Sequence, residues 1–135
     1  MTETWNRFLD LISDSRAASD PIRTSAHFAF LYESQVQNGG HLQYFENATI
    51  DQLKATTISL QLLGASCQHE VLQEAQRAYF GKPRKRPETA QEYVALALEG
   101  EFDEYDMRFH ACSPNLIEVL QAYLETHHDL LFPAI

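Results

Sequence analysis

The sequence is poor in the residues and patterns that mark several classes of protein. Only five glycines and five prolines interrupt 135 residues, and no alternating β-branched runs occur, which disfavours a β-sheet fold. No apolar stretch approaches the roughly 20 residues of a membrane span. The first residues include an early acid and no basic region, so we expect no signal peptide. The two cysteines, Cys67 and Cys112, are therefore expected to be free thiols in a reducing cytoplasm.

Basic residues are scarce as well. Ten lysines and arginines stand against 19 acids, which gives a formal net charge of −9. This charge disfavours direct binding to nucleic acid or to an anionic membrane and suits a basic protein partner, although solubility alone also explains it. The one cluster of bases, residues 82–87 (KPRKRP), lies among prolines. We expect it to be an exposed and flexible connection that does not pack.

The apolar residues that are present recur at helical spacing. The first set follows i, i+3, i+4, i+7 and predicts an amphipathic helix near the N-terminus: Trp5, Phe8, Leu9 and Ile12. Comparable stripes recur along the chain, without internal repeats or low-complexity tracts. We therefore expect one all-α domain over residues 1–135, a bundle of about six to eight helices joined by short loops.

Residues that favour helix ends predict several boundaries. Asp20 would be the N-cap and Pro21 the first residue of a long, largely buried helix. Two later helices would end at glycines, and the last long helix would start at a serine-proline pair. These residues are Gly64, Gly81, Ser113 (N-cap) and Pro114 (first residue).

The Asn38-Gly39-Gly40 segment is the most distinctive local feature. It follows a predicted helix and has neither the glycine spacing nor the Lys-Ser/Thr of a phosphate-binding loop. We interpret it as a sharp corner, in which Asn38 or Gly39 takes the left-handed conformation and Gly40 permits close approach of another segment. Gln43 and Asn47 would bind backbone groups that the corner leaves free. A ligand pocket at this corner is the alternative.

Several segments resemble a bacterial all-helical family, mostly of unknown function, whose named member is an acidic DNA-mimic protein. The identifying motif consists of Asn38, Gly39, Gly40, Gln43, Tyr44, Phe45 and Asn47, preceded by Tyr32, Glu33 and Val36. Residues 60–66 (LQLLGAS) and 102–110 (FDEYDMRFH) are also similar to the family, with Tyr105 where leucine is usual. His41 stands where an aromatic or other large apolar residue is expected. The resemblance covers residues 20–132.

The resemblance implies a mode of action and no catalytic residues. The DNA-mimic member presents carboxylates in a phosphate-like array and, as a dimer, keeps a helix-turn-helix repressor from its operator. By resemblance, this chain would bind a DNA-binding protein such as a transcriptional regulator. A homodimer is implied in the same way only.

The acids that suit such a role are concentrated in residues 99–106 (EGEFDEYD): Glu99, Glu101, Asp103, Glu104 and Asp106. An interruption of the helix is expected near Gly100; if the segment is helical throughout, Glu99, Asp103 and Asp106 would share a face. Eight helical residues rise about 12 Å, along which a duplex carries roughly seven phosphates, so the charge density is comparable. Arg108 is placed to pair with Glu104. The alternative is a solvated acidic face whose aspartates cap or brace helices.

No pattern predicts catalysis, a metal site or a cofactor. His127 and His128 are adjacent and diverge on a helix, and His110 and Cys112 point apart at a spacing of two. The favoured hypothesis is a cytoplasmic, non-enzymatic domain whose acidic surface binds a basic or DNA-binding protein. The alternatives are a protein-binding module whose acidity is incidental, and a small-ligand-binding protein or enzyme with a pocket at residues 38–47.

Overall fold

The computed structural model describes residues 3–12 and 21–131. Within these ranges the chain is all-α and forms a helical bundle, as predicted. Eight helices follow one another along it: α1 (Glu3–Ile12), α2 (Pro21–Asn47), α3 (Ile50–Leu63), α4 (Ser66–Phe80), α5 (Ala90–Glu99), α6 (Asp103–Ala111), α7 (Leu116–Thr126) and α8 (His128–Leu131). The number falls within the predicted six to eight.

Helix α2 is the centre of the bundle and packs against α3, α6 and α7. Ala26, Ala29 and Tyr32 are completely buried on it, because their spacing of three places them on one face. The helices around it supply the opposite side of the core through residues such as Leu60 and Leu72. The prediction of a long, largely buried helix that begins at Pro21 is therefore confirmed. Asp20, its predicted N-cap, lies outside the described residues.

The bend in α2 lies at Gly39 and Gly40, where the backbone leaves the helical conformation. The predicted left-handed residue was wrong: Gly39 has φ −151° and Asn38 is helical, whereas Gly40 has φ 74° and ψ −173°. The close approach predicted for Gly40 is confirmed, because a Cβ atom there would lie 2.4 Å from Oδ2 of Asp106. Glycine is thus required at position 40 for both its backbone angle and its missing side chain.

Other helix ends agree only partly with the prediction. Gly64, with φ 75°, ends α3, and Gly81 follows the last residue of α4. Helix α7, however, begins two residues later than predicted. Asn115 is its N-cap and accepts from the backbone N–H of Glu118, whose side chain reaches back to the Asn115 N–H. This reciprocal pair satisfies two otherwise unpaired donors, and the Ser113-Pro114 pair offers no equivalent.

The two cysteines form a disulfide, so the prediction of free thiols was wrong. Cys67 is the second residue of α4 and Cys112 is the C-cap of α6. Because these two helices pack side by side, the Cα atoms come within 5.8 Å despite a sequence separation of 45 residues. A Cα–Cα distance in this range permits a disulfide. Cysteine spacing in the sequence alone contained no sign of this contact.

Candidate functional site

The acidic segment at residues 99–106 is divided between two helices. Glu99 ends α5, Gly100 takes a left-handed conformation with φ 66°, and α6 begins at Asp103. The interruption predicted near Gly100 is confirmed, so the condition for a shared face of Glu99, Asp103 and Asp106, one continuous helix, is not met. Asp103, Glu104 and Asp106 instead lie in the first turn of α6, where carboxylates interact favourably with the positive end of the helix dipole.

Asp106 is turned towards the bend in α2 and binds His41. Its Oδ1 accepts from the His41 backbone N–H at 2.8 Å and from Nδ1 at 2.7 Å. The side chain of Asp106 is 26% exposed, and His41 is completely buried. Because an ionised carboxylate only accepts hydrogen bonds, Nδ1 carries the ring hydrogen towards it. Asp106 therefore braces two helices and is largely withdrawn from the acidic surface.

The far side of the His41 ring completes a buried network. Its Nε2 lies 2.6 Å from the hydroxyl oxygen of Tyr32. When His41 is neutral and protonated on Nδ1, Nε2 accepts this hydrogen bond and Tyr32 donates it. Burial, followed by the neighbouring phenol of Tyr44 and the carboxylate of Asp106, raises the pKa of Tyr32 well above its ordinary value. The network thus links α6 to both segments of α2 without an unsatisfied ring nitrogen.

Glu101 is neutralised by the basic loop. Arg84 donates to both of its carboxylate oxygens, and Nζ of Lys82 lies 3.6 Å away. These bonds lower the pKa of Glu101, with the Arg84 hydrogen bond as the largest cause. Arg84 also stacks on Tyr79 and Phe102, with its guanidinium carbon 4.6 and 5.3 Å from the ring centroids.

The loop prediction was therefore wrong for Arg84, whose side chain is 15% exposed. Its guanidinium donates to the carbonyl oxygens of Ala78 and Tyr79 near the end of α4, where backbone acceptors lack helical partners. Lys82 and Arg86 remain exposed, at 60% and 76% of their side-chain surface. Arg84 packs because aromatic faces, open carbonyls and a carboxylate meet at that point, whereas Arg86 stays exposed and reaches Glu46 at the end of α2.

Besides Glu101, three acids of the segment are exposed: Glu99, Asp103 and Glu104. Within the described part of the chain none of these three has an ion pair. Arg108, expected to pair with Glu104, instead donates to Glu74 on α4. The packing of α4 against α6 supplies this partner, and Glu104 keeps only a longer-range attraction to Arg108.

The Asn-Gly-Gly motif forms a network of side-chain amides next to the bend. Asn38 donates to Oε1 of Gln43, whose amide nitrogen donates to Gln35 at 2.9 Å. Asn47 donates to the same Gln35 oxygen at 3.0 Å. Gln43 and Asn47 were expected to bind free backbone groups. They bind another side chain instead, because Gln35 on the first segment of α2 reaches both.

The two aromatic residues of the motif belong to the core. Tyr44 and Phe45 are each 4% exposed, and the Tyr44 hydroxyl donates to Thr56 at 2.7 Å. Phe45 packs against Tyr79 and Phe102, with ring centroids 4.8 and 5.5 Å apart. The motif therefore fixes the bend and the surrounding packing.

Comparison with known proteins agrees with these features. A family model described as DMP19-like protein matches residues 17–127, most of the chain. The chain belongs to the DMP19-like family. This is the DNA-mimic family that the motif was found to resemble, so the resemblance is confirmed. No curated protein and no solved structure matches the chain.

The DMP19-like chain has a small cavity next to the motif. It measures about 150 Å³, and its wall is mainly apolar: Phe28, Leu31, Gln35, Tyr44, Asn47, Ala48, Gln52 and Thr56. A cavity of this size is comparable to one that admits a single aromatic ring and is smaller than most ligand pockets. None of the described side chains that line it is charged, and their polar groups offer neutral hydrogen bonds.

A separate cleft of about 60 Å³ lies beside Gly39 and contains Glu101, Asp103 and Asp106 among its lining residues. Two of these carboxylates are already bound to Arg84 and His41. Within residues 3–12 and 21–131, no three histidine, cysteine or acidic side chains gather into a group that could hold a metal ion. Among the same residues, no helix combines the length and apolarity needed to cross a bilayer.

Sequence reasoning missed the roles of His41 and Arg84. The signal for His41 was its position, since a histidine among residues expected to be apolar needs a polar partner when it is buried. The acids of residues 102–110 were candidates for that partner, but only the fold brings Asp106 to it. For Arg84 no local signal was present, because its partners come from α4 and from the turn before α6.

Proposed function

We propose that this protein is a non-enzymatic interaction protein that binds a basic, DNA-binding protein, such as a transcriptional regulator, in the place of DNA. Its membership of a DNA-mimic family supports the proposal. So does its net charge of −9, which attracts a basic surface and repels nucleic acid. The proposed place of action is the cytoplasm, where such a partner would meet DNA.

The observation that carries the proposal is which charged side chains are paired: several basic residues bind the protein's own acids, whereas three exposed acids of residues 99–106 bind no described base. Arg84 and Lys82 bind Glu101, and Arg108 binds Glu74. Arg86 lies 3.7 Å from Glu46 and donates to its backbone carbonyl. Four basic side chains are thus engaged by the protein's own carboxylates, so they oppose an approaching cationic surface less than their number suggests.

The proposed binding surface, called here the α5–α6 acidic surface, consists of Glu99, Asp103 and Glu104. The three carboxylates are exposed, have no ion pair with any described residue and flank the turn at residues 100–102. Each contact between exposed charges contributes about 0.2–1 kcal/mol, so removal of three is expected to weaken binding by about tenfold. The Debye length of about 8 Å at physiological ionic strength makes such contacts sensitive to salt.

The test is capture of partners from a lysate of the native host, followed by identification and direct binding. We expect a DNA-binding protein that competing duplex DNA releases and that binds more weakly as salt rises. A triple variant that neutralises the α5–α6 acidic surface (Glu99→Gln, Asp103→Asn, Glu104→Gln) should lose about tenfold in affinity. A matched triple variant with the same change in net charge serves as control: Asp51→Asn, Glu88→Gln and Glu125→Gln. Equal binding by both variants, or indifference to DNA, would contradict the proposal.

A second candidate function rests on an exposed apolar ridge along α3. Ile50, Ile58 and Leu62 follow at multiples of four residues and are 53%, 56% and 60% exposed. Phe80, 54% exposed, joins Ile50 and Ile58 in lining a groove of about 430 Å³. Exposed apolar surface of this kind favours a protein partner whose recognition is independent of acidity. In that case Ile58→Glu would abolish capture, and the acidic-surface variant would bind normally.

A further inference from the structure

The Cys67–Cys112 disulfide has one exposed cysteine and one buried cysteine, unlike a crosslink that is buried at both ends. We propose that it is a thiol–disulfide exchange site, which a dithiol reductant opens in the folded protein by attack on Cys67. Cys67 is exposed, whereas Cys112 is only 5% exposed. Exchange requires an incoming thiolate to reach one sulfur of the bond. The geometry therefore makes Cys67 the point of attack and Cys112 the leaving group.

The position of Cys67 in α4 favours the reduced form. It is the second residue of the helix, and the N-cap residue, Ala65, provides no side-chain hydrogen bond to the first turn. The backbone N–H groups of that turn and the positive end of the helix dipole can then interact with a negatively charged sulfur. An interaction that is available only after reduction makes a disulfide easier to reduce.

The exchange balances with a dithiol as the only co-reactant. One thiolate of the reductant bonds to Sγ of Cys67, the Cys67–Cys112 bond breaks, and the Cys112 sulfur leaves as a thiolate that takes up a proton. The second thiolate of the reductant then attacks its own sulfur in the mixed disulfide and releases the Cys67 thiolate. The reductant ends as a disulfide, and the protein gains two electrons and up to two protons.

The fold has other bonds that hold α6 in place after the disulfide opens. Asp106 binds His41 near its start, and Arg108 binds Glu74 in its second half. Beyond its end, the buried side chain of Gln68 donates to the Pro114 carbonyl at 3.0 Å. Reduction therefore removes the single crosslink between α4 and the end of α6 within a structure that stays folded, and its effect should be confined to residues 110–115.

The cytoplasm proposed as the place of action also bears on the disulfide. Disulfides in a reducing cytoplasm are rare and are usually transient or redox-sensing. This argument rests on the proposed function, whereas the exposure of Cys67 and its place in α4 do not. The test below needs no binding partner, so a failure to find one would leave its result unaffected.

The first measurement is the rate at which dithiothreitol reduces the native protein, followed by alkylation of thiols and mass spectrometry. We expect a rate proportional to dithiothreitol concentration and unchanged by low urea, since attack occurs in the folded state. Hydrogen exchange of the reduced protein should accelerate in residues 110–115 and remain slow in α2. A rate that rises steeply with low urea, or exchange that accelerates throughout the bundle, would show that the bond opens only by unfolding and would overturn the proposal.

The second measurement compares the two cysteines directly. In the Cys112→Ser variant the remaining thiol is exposed, and in the Cys67→Ser variant it is buried. We expect Cys112→Ser to react with an aromatic disulfide at least tenfold faster, under conditions where circular dichroism shows both to be folded. Equal rates, or the opposite order, would overturn the assignment of Cys67 as the point of attack. If either variant fails to fold, mass spectrometry of the mixed disulfide that a monothiol forms with the native chain shows which cysteine carries it: Cys67 is expected, and Cys112 would overturn the assignment.

Discussion

Replacement of Asp106 by alanine tests the central contact between α6 and the bend in α2. The carboxylate accepts two hydrogen bonds from His41, one from the backbone and one from the ring. Truncation leaves both donors without this partner, and an unsatisfied buried donor costs about 1–3 kcal/mol. Because the Asp106 side chain is 26% exposed, water can reach part of the site. We therefore expect a loss near the lower end of the combined cost, about 2 kcal/mol.

Urea denaturation followed by circular dichroism measures this loss. With an m-value of about 2 kcal/mol per M, the midpoint of Asp106→Ala should fall by about 1 M. Asp106→Asn keeps an acceptor oxygen without its charge and should lose about half as much free energy of unfolding. Glu104→Ala removes an exposed acid from the same turn and should cost about 0.5 kcal/mol. If Asp106→Ala is no more destabilising than Glu104→Ala, the proposed bracing role is wrong.

Two further predictions concern a glycine and a tyrosine. Gly40→Ala should lower the free energy of unfolding by about 3 kcal/mol, because the new Cβ would clash with Asp106 and alanine disfavours the backbone angles at this position. Gly64→Ala, in the ordinary left-handed region (φ 75°, ψ 21°) and with nothing within 4 Å, should cost about 1 kcal/mol; equal losses by urea denaturation would contradict the strain and clash assigned to position 40. Burial raises the pKa of Tyr44 to about 12, so the folded state holds a proton that the unfolded chain loses near pH 10. Tyr44 should therefore lower stability by about 2 kcal/mol between pH 10 and 12, and Tyr44→Phe should show a fall smaller by that amount; an unchanged fall would refute this cause.

The features of the fold that could be predicted are those that depend on residues close together in the sequence. The spacing of Trp5 and Phe8 places both on the buried side of α1. Proline at the start of α2 and glycine at the end of α3 act through their own backbone preferences, so these boundaries were correct. The start of α7 was misplaced because serine-proline and asparagine are competing local signals. The reciprocal bonds of Asn115 with Glu118 decide between them.

The candidate site was less predictable, because its charges are defined by their partners. The five acids of residues 99–106 cannot be told apart by composition, and a continuous helix would have put three of them, Glu99, Asp103 and Asp106, on one face. The left-handed turn between α5 and α6 separates them, and residues distant in sequence then neutralise or withdraw two of the five. Which acids remain available to a partner is thus a property of the fold.

The sequence alone determined that the chain is helical, where several of its helices end and which family it belongs to. Periodicity, backbone preferences and a short motif are local properties, and they do not require knowledge of distant contacts. The tertiary structure alone decided that Asp106 accepts hydrogen bonds from His41, that Arg84 packs against α4 and that the two cysteines form a disulfide. Each of these contacts joins residues that lie five or more positions apart in the sequence, and two of the three join residues 45 or more positions apart. Helix packing brings these residues together. Hydrogen bonds, ion pairs and disulfides act over a few ångströms, so such pairings exist only once the helices are in place.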